Sequence, residues 1–170
     1  QGDQYAALYS ETVTVQLEND FLPFLYPNQY VNFSPDSEAS KLALSMVSED
    51  TSDIDALKQI YNYVVNNLSY DYDKAETVET GYLPDVDETL STKTGICFDY
   101  AALTAAMLRS QDIPCKLEIG YSGDIKHAWI DVYIRSKGWV NQAVSFKGDT
   151  WTLMDPTFDS NSDDKEAIQD

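Results

Sequence analysis

A cysteine near the middle of the chain has the sequence setting of a reactive thiol. Cys97 follows Gly95-Ile96 and precedes an alanine-rich run that predicts a helix, so its sulfur should lie in the first helical turn. The N-terminal N–H groups of a helix, with their partial positive charge, favour a thiolate over a thiol, and the thiolate is the nucleophilic form. Gly95 would let the preceding backbone turn tightly and leave space beside the sulfur.

A thiol nucleophile also needs a base and a group that orients the base. The chain has one histidine, His127, which opens a run of alternating residues typical of a strand. Asp155 precedes Pro156, where a last strand must stop because proline cannot continue a ladder, so its carboxylate should be held in place. Taken singly, the three residues could be a small buried side chain, a satisfied polar group and a turn former. Their combination predicts a Cys-His-Asp thiol site.

The second cysteine and the single histidine argue against other kinds of site. Cys115 lies in an alternating run and has the setting of a buried core residue. A bridge between the two cysteines would need an oxidising compartment, and the setting of Cys97 favours a free thiol. Two cysteines and one histidine at these spacings match no zinc pattern, so we expect no metal and no cofactor. No stretch approaches the ~18 to 20 apolar residues that span a bilayer.

The charge balance is strongly acidic, with 29 acidic residues against 11 basic ones and a formal net charge of −18. Such a surface repels phosphate backbones, which argues against a nucleic-acid partner. It could attract cationic or amine-bearing substrates, or it could serve solubility alone. The composition suggests a bacterial extracellular or cell-surface protein, with the cytoplasm as the alternative. Because the chain begins at Gln1 rather than Met, it could be a mature or trimmed form.

The elements that must position these residues change from helices to strands along the chain. Helical spacing and caps predict helices over 37–47, 52–67 and 95–109, and alternation predicts strands over 115–121, 127–134, 139–144 and 150–154. Residues 12–17 could be a strand or an arm lying on the domain. Residues 73–93 are acidic and predict a long loop, either bordering a site or without a role. Helices first and hairpin-linked strands later predict an α+β fold with a mainly antiparallel sheet.

Three blocks of sequence resemble the transglutaminase-like superfamily of papain-fold thiol enzymes. They are Gly95-Ile96-Cys97-Phe98-Asp99-Tyr100-Ala101, which fits Gly-x-Cys-x-Asp/Glu-Tyr-Ala, then His127-Ala128-Trp129 with Gly138-Trp139 after it, and Met154-Asp155-Pro156-Thr157. Tyr70 after the long helix and Ile113-Pro114 before the first sheet strand also match. The resemblance extends over residues 54–158, whereas residues 1–50 match nothing in the family.

The resemblance implies a papain-like, transglutaminase-core fold. In this fold a helix bearing Cys97 at its N-terminus packs on a mainly antiparallel sheet bearing His127 and Asp155, and these three residues would be the catalytic triad. Asp99 and Trp129 would support the site through packing. We expect residues 1–50 to form an arm and a helix of the same domain, and residues 51–170 to form the catalytic core.

The chemistry implied by the resemblance is acyl transfer on amide bonds through a Cys97 thioester. The backbone N–H of Cys97 and one upstream side chain, Tyr70, Tyr72 or Tyr82, would stabilise the oxyanion. The leading hypothesis is hydrolysis of a peptide or related amide by a cysteine peptidase or amidase, with a peptide or protein as substrate. The second hypothesis is cross-linking of protein glutamine to amines by a transglutaminase. The third is a non-catalytic peptide-binding or structural module that retains the fold.

Overall fold

A computed structural model of the chain describes residues 9–122, 125–147, 150–154 and 167–168. Within the strands, only the backbone is described at 121–122, 125–127, 146–147, 150–151, 154 and 167–168. The helices of the described residues all lie before residue 110, after a 3-10 turn at Leu22–Phe24. They are α1 (Glu38–Met46), α2 (Asp53–Asn67), α3 (Tyr72–Thr77), α4 (Val86–Thr92) and α5 (Cys97–Arg109).

The helix α2 shows how local sequence defines these elements. Ser52 caps its start by accepting the N–H of Asp55 at 3.1 Å, and acidic residues in the first turn complement the helix dipole. Leu57, Ile60 and Val64 form one apolar stripe and are fully buried. The helix ends at Asn67, as its sequence predicts.

The helix α5 is the centre of the domain. Every one of its residues is buried, because α1, α2 and α4 contact it on one side and the sheet contacts it on the other. Its small residues, Ala101, Ala102, Ala105 and Ala106, let these neighbours approach closely. A helix that is apolar on all faces must lie inside a domain, which is what its composition indicates.

The strands form one five-stranded antiparallel sheet and a separate two-stranded parallel ladder. The large sheet has the order β3-β4-β5-β6-β7, and the ladder pairs β1 with β2. Their bounds are β1 (Ser69–Tyr70), β2 (Thr94–Gly95), β3 (Cys115–Ser122), β4 (Ile125–Ile134), β5 (Gly138–Lys147), β6 (Thr150–Met154) and β7 (Ala167–Ile168). Alternate residues of β4, from Ala128 to Ile134, are buried on the face that meets the helices. The α+β prediction, with a helix starting at Cys97 packed on an antiparallel sheet, is confirmed.

The N-terminal segment packs on the outer face of this sheet. Phe21 lies 4.5 Å from the ring of Tyr133, and Phe24 meets Trp139 edge-on at 5.4 Å. The buried Arg109 at the end of α5 donates to the carbonyl of Tyr26 at 2.9 Å. The segment 21–26 is therefore joined to the helices and the sheet alike.

Two predictions of local structure are wrong. Residues 73–93 do not form a long loop, since α3, α4 and the turn between them occupy most of this segment. Helices of six and seven residues are too short to show a clear period, although side chains of Asp71 and Asp85 cap them. Residues 12–17 are extended and exposed, without a strand partner among the described residues and without burial against the domain. Alternation alone did not produce a strand there, because no apolar face is covered.

Candidate active site

Cys97 is the first residue of α5 and is almost fully buried. The backbone around it is fixed by the β1–β2 ladder, in which Tyr70 pairs with Gly95. The N–H of Asp71 donates to the carbonyl of Gly95 at 2.9 Å, and the side chain of Asp71 then caps α3. The ladder therefore fixes the start of α3 beside the start of α5.

Gly95 is required by a close approach between the turn and the helix. A Cβ atom at this position would lie 2.7 Å from the Cβ of Asp99, which is closer than real side chains come. The same Asp99 accepts the N–H of Ile96 on Oδ2 at 2.8 Å. Because isoleucine has no side-chain acceptor, this is only the carboxylate half of a capping box. The Gly-x-Cys-x-Asp pattern thus has a structural reason at its first and last positions.

The carboxylate of Asp99 is fully buried and bonded on both oxygens. The hydroxyl of Tyr82 donates to Oδ1 at 2.6 Å, and the ammonium of Lys74 lies 2.8 Å from Oδ2. Lys74 also donates to the Tyr82 hydroxyl at 2.6 Å and stands over its ring, 4.5 Å from the centroid. We call these three side chains the Asp99 network. It connects α3, the turn before α4 and the first turn of α5.

The network changes the proton affinities of its members. Burial, followed by the hydrogen bond to Asp99, raises the pKa of Tyr82 to about 12. Partial burial works to lower the pKa of Lys74, but the hydrogen bonds to Asp99 and Tyr82 outweigh it and leave that pKa raised. At neutral pH the network therefore contains a protonated tyrosine and a charged lysine.

The three tyrosines predicted as oxyanion donors have different settings. Tyr82 already donates its hydroxyl proton to Asp99. Tyr70 and Tyr72 pack edge-on with ring centroids 5.1 Å apart, and Tyr72 is exposed whereas Tyr70 is half-buried. That Tyr70, Tyr72 or Tyr82 stabilises the oxyanion stays a prediction.

His127 lies near the start of β4. Its backbone pairs with Gly120 on β3 and with Lys147 on β5, and only the backbone of His127 is described. From Arg109, which bonds the Cys115 carbonyl, the helix runs back about 18 Å to Cys97. From Cys115 the strand runs about 17 Å to Gly120. The two paths are similar in length, and the meeting of Cys97 with His127 stays a prediction.

Trp129 lies two residues beyond His127 and is half-buried. Its indole covers Gly120, where an added Cβ would approach the ring to 3.3 Å. Gly120 therefore leaves room for the indole on the strand that pairs with His127. This setting agrees with a packing role for Trp129.

Asp155 lies outside the described residues, directly after the last residue of β6. The strand β6 runs parallel to β4, and its first residue, Thr150, is level with His127 through Lys147. Its last residue, Met154, lies about 13 Å further along the sheet. The role of Asp155 in orienting His127 stays a prediction.

The second cysteine and the cavity of the molecule are separate from the start of α5. Both cysteines are buried and neither is in a disulfide, and burial raises the pKa of Cys115 to about 12. A cavity of about 550 Å³ lies at the opposite end of α5, between residues such as Val47 and Ile113, and Cys97 does not line it.

Among the described residues, no group of three or more His, Cys, Asp or Glu side chains could hold a metal ion. None of the described helices is long and apolar enough to cross a membrane.

The pattern of the transglutaminase-like superfamily matches residues 40–156, which is well over half of the chain and includes Cys97, His127 and Asp155. The chain belongs to this superfamily. The chain is therefore a member of a family of thiol enzymes. The match begins at residue 40, inside α1, so the expectation that residues 1–50 match nothing in the family is wrong for residues 40–50. The segment that packs on the outer sheet face lies before the match.

Two proteins similar to this transglutaminase-like chain are distant or match only part of it. It is 39% identical to UPF0252 protein MJ1282 of Methanocaldococcus jannaschii over 69 residues, which is 37% of this chain and 20% of that protein. It is 24% identical to the kyphoscoliosis peptidase of Mus musculus over 136 residues, or 73% of this chain and 18% of that protein. The chain thus spans about a fifth of the length of these curated relatives.

A solved structure shares the fold of the transglutaminase-like chain. It is a candidate cysteine protease of Cytophaga hutchinsonii, with a TM-score of 0.57 and 24% identity, covering 77% of this chain and 42% of that one. At this level of identity the likeness shows the fold.

Sequence reasoning missed Lys74 and the bonding of Tyr82. One signal was present, because Lys74 is the only basic residue between Lys58 and Lys93, in a segment rich in Asp and Glu. A lone cation in such a segment favours a specific partner over a general role in solubility.

Proposed function

We propose that this domain hydrolyses a peptide or related amide bond with Cys97 as the nucleophile. The observation that carries the proposal is the placement of Cys97 as the first residue of the central helix, within the segment that matches the superfamily. A thiolate there is favoured by the helix dipole and by the first-turn N–H groups. The same N–H groups are suited to stabilise an oxyanion.

The proposed reaction has two steps. In the first, the Cys97 thiolate attacks the carbonyl carbon and forms a C–S bond, the C–N bond breaks, and His127 gives a proton to the departing amine. In the second, His127 takes a proton from water, whose oxygen attacks the thioester, and the thiolate leaves. The products are a carboxylic acid and an amine. Asp155 would hold the imidazole in the required tautomer.

The names of the similar proteins favour hydrolysis over cross-linking. One relative is a peptidase and one solved structure is a candidate cysteine protease. Cross-linking of glutamine to an amine remains the second candidate, because the net charge of −18 would attract cationic amines. We further propose a bacterial extracellular or cell-surface location and a peptide or protein substrate.

Incubation with a peptide library in 18O-labelled water separates these reactions. Hydrolysis places one labelled oxygen on a new carboxylate, whereas transglutamination in the presence of a primary amine gives an adduct and releases ammonia. Both should be lost in Cys97→Ala, which removes the sulfur and leaves the helix intact. Products that persist in this variant would exclude Cys97 as the nucleophile. The absence of any product from the folded wild-type protein across the library would favour the non-catalytic peptide-binding or structural module.

A further inference from the structure

The Asp99 network places a buried negative charge in the same helical turn as the proposed nucleophile. Asp99 is two residues after Cys97 in the first turn of α5, and its carboxylate is fully buried. A buried carboxylate is costly unless it is paired, and it opposes a second negative charge nearby. A Cys97 thiolate would be such a charge.

The cation that compensates this carboxylate comes from a different element. Lys74 on α3 forms the ion pair with Asp99 at 2.8 Å, and its position is fixed by the Tyr82 hydroxyl and ring. Its side chain is about one-third exposed, whereas that of Asp99 is inaccessible to water. In the folded protein the carboxylate is therefore paired with the ammonium and not with bulk water.

The ionisable groups that surround the start of α5 come from several elements. Those of the described residues include Asp99 and Tyr100 on α5 itself, Tyr70 on β1, Asp71 next to it, Lys74 on α3 and Tyr82 before α4. His127 on β4 is the predicted base. Lys74 is the cation that pairs with Asp99.

We propose that Lys74 is a positioning residue for Cys97. Its ion pair offsets the charge of Asp99, so that Cys97 can ionise, and it keeps Asp99 ionised as the acceptor of the Ile96 N–H that defines the start of the helix. This role rests on the proposed function, in which the Cys97 thiolate is the attacking group.

The ion pair can be tested through the ionisation of Cys97 in four variants. Lys74→Met removes the cation at similar size, and Lys74→Arg keeps it. Asp99→Asn removes the opposing charge, and the double variant removes both. The readout is the midpoint of Cys97 alkylation by iodoacetamide against pH, resolved by mass spectrometry. Labelling of buried Cys115 in the same sample reports unfolding.

The expected shifts have opposite signs in the two single charge deletions. Lys74→Met should raise the Cys97 midpoint by about one pH unit. At pH values below the midpoint, alkylation should then be roughly tenfold slower, because the thiolate fraction is lower. Lys74→Arg should stay near the wild type, and Asp99→Asn should lower the midpoint. In the double variant the midpoint should return toward that of the wild type, because the opposing effects of the two charges on Cys97 are removed together.

Several outcomes would overturn the role of Lys74. One is an unchanged midpoint in Lys74→Met while Cys115 stays unlabelled. Another is a double variant shifted as far as Lys74→Met, which would indicate loosened packing. If Lys74→Met does not fold, Asp99→Asn decides by its sign, and an unchanged or raised midpoint contradicts the proposal. Failure of the proposed function is distinct, since it would appear in the wild type as the absence of Cys97-dependent products.

Discussion

Three neighbouring residues show how one local contact defines the candidate nucleophile. Asp99 turns back to accept the Ile96 N–H, and this brings its Cβ against the backbone at Gly95. Ile96 is therefore held extended, and the helix begins at Cys97. The position of the sulfur at the helix start depends on a glycine before it and a carboxylate after it.

Substitution of Gly95 should be costly because the contact involves atoms close to the backbone. In Gly95→Ala the new Cβ would lie 2.7 Å from the Asp99 Cβ, so the turn or the helix must move. We expect a loss of about 1–3 kcal/mol in the free energy of unfolding, measured with urea. We also expect a slower alkylation of Cys97 at pH 7. Gly138→Ala, in the β4–β5 hairpin at φ 89°, is a matched control.

The control should lose stability through backbone strain alone. An added Cβ at Gly138 meets nothing within 4 Å, so its cost comes only from the left-handed conformation. Alkylation of Cys97 should be unchanged in this variant. Equal effects of the two substitutions on Cys97 alkylation would contradict a specific role for Gly95.

Sequence was sufficient for residues whose role depends on near neighbours. The position of Cys97 at a helix start follows from the residues on either side, and the burial of Cys115 follows from alternation. The partners of Asp99 could not be predicted, because Lys74 is 25 positions away and Tyr82 is 17. Their meeting depends on the β1–β2 ladder, whose strands of two residues are too short to show a pattern.

Among the elements, α3 and the turn before α4 act as one support for the first turn of α5. They reach it through Lys74 and Tyr82, and the ladder anchors them through Asp71 and Gly95. The segment predicted as a loop therefore has a definite structural role. Loss of a single hydroxyl should loosen this support, which makes Tyr82 a useful position for a test.

Tyr82→Phe should alter the dependence of stability on alkaline pH. The pKa of Tyr82 is raised from 10.0 to about 12, so ionisation costs more in the folded than in the unfolded protein. Its contribution to stability is complete below pH 10 and is lost as pH rises through 12. Partial exposure of Tyr82 screens the effect and reduces its size. Chemical unfolding between pH 9 and 12 measures it.

The wild type should lose stability more steeply than Tyr82→Phe over this range. Below pH 9 the variant should be less stable by about 1–2 kcal/mol, because Asp99 has lost a buried donor. The two curves should then converge as pH rises. Parallel curves would show that Tyr82 keeps an ordinary pKa.

The predicted role of Asp155, which directly follows strand β6, can be tested by substitution. In Asp155→Asn the amide cannot hold the imidazole in the same tautomer, so turnover should fall by about 100-fold or more. Alkylation of Cys97 should still occur. A loss below tenfold would assign the orienting role to another group.

At the scale of the whole molecule, the net charge of −18 is the dominant feature. Its effect on a substrate depends on where the acidic residues lie relative to Cys97. Asp73, Glu76 and Glu79 are exposed on and after α3, next to the Asp99 network. Glu18 and Asp20 precede the segment on the outer sheet face, and Glu49 lines the cavity at the other end of α5. These two sets can be neutralised separately.

Steering of cationic substrates should depend on the acidic set near Cys97. Asp73→Asn/Glu76→Gln/Glu79→Gln and Glu18→Gln/Asp20→Asn/Glu49→Gln both change the net charge from −18 to −15 (−18 + 3). For a lysine-containing substrate we expect kcat/KM to fall several-fold as salt rises from about 0.02 to 0.3 M, because screening shortens the field. A neutral substrate of the same size should show no such change.

The two matched variants then separate local attraction from solubility. The variant next to the Asp99 network should lower kcat/KM for the lysine substrate and flatten its salt dependence, whereas the distant variant should behave like the wild type. Equal effects of both variants would mean that overall charge, rather than charge near Cys97, attracts the substrate. If neither variant nor salt alters the preference, the acidic surface serves solubility alone, and substrate selection must come from other contacts around the start of α5.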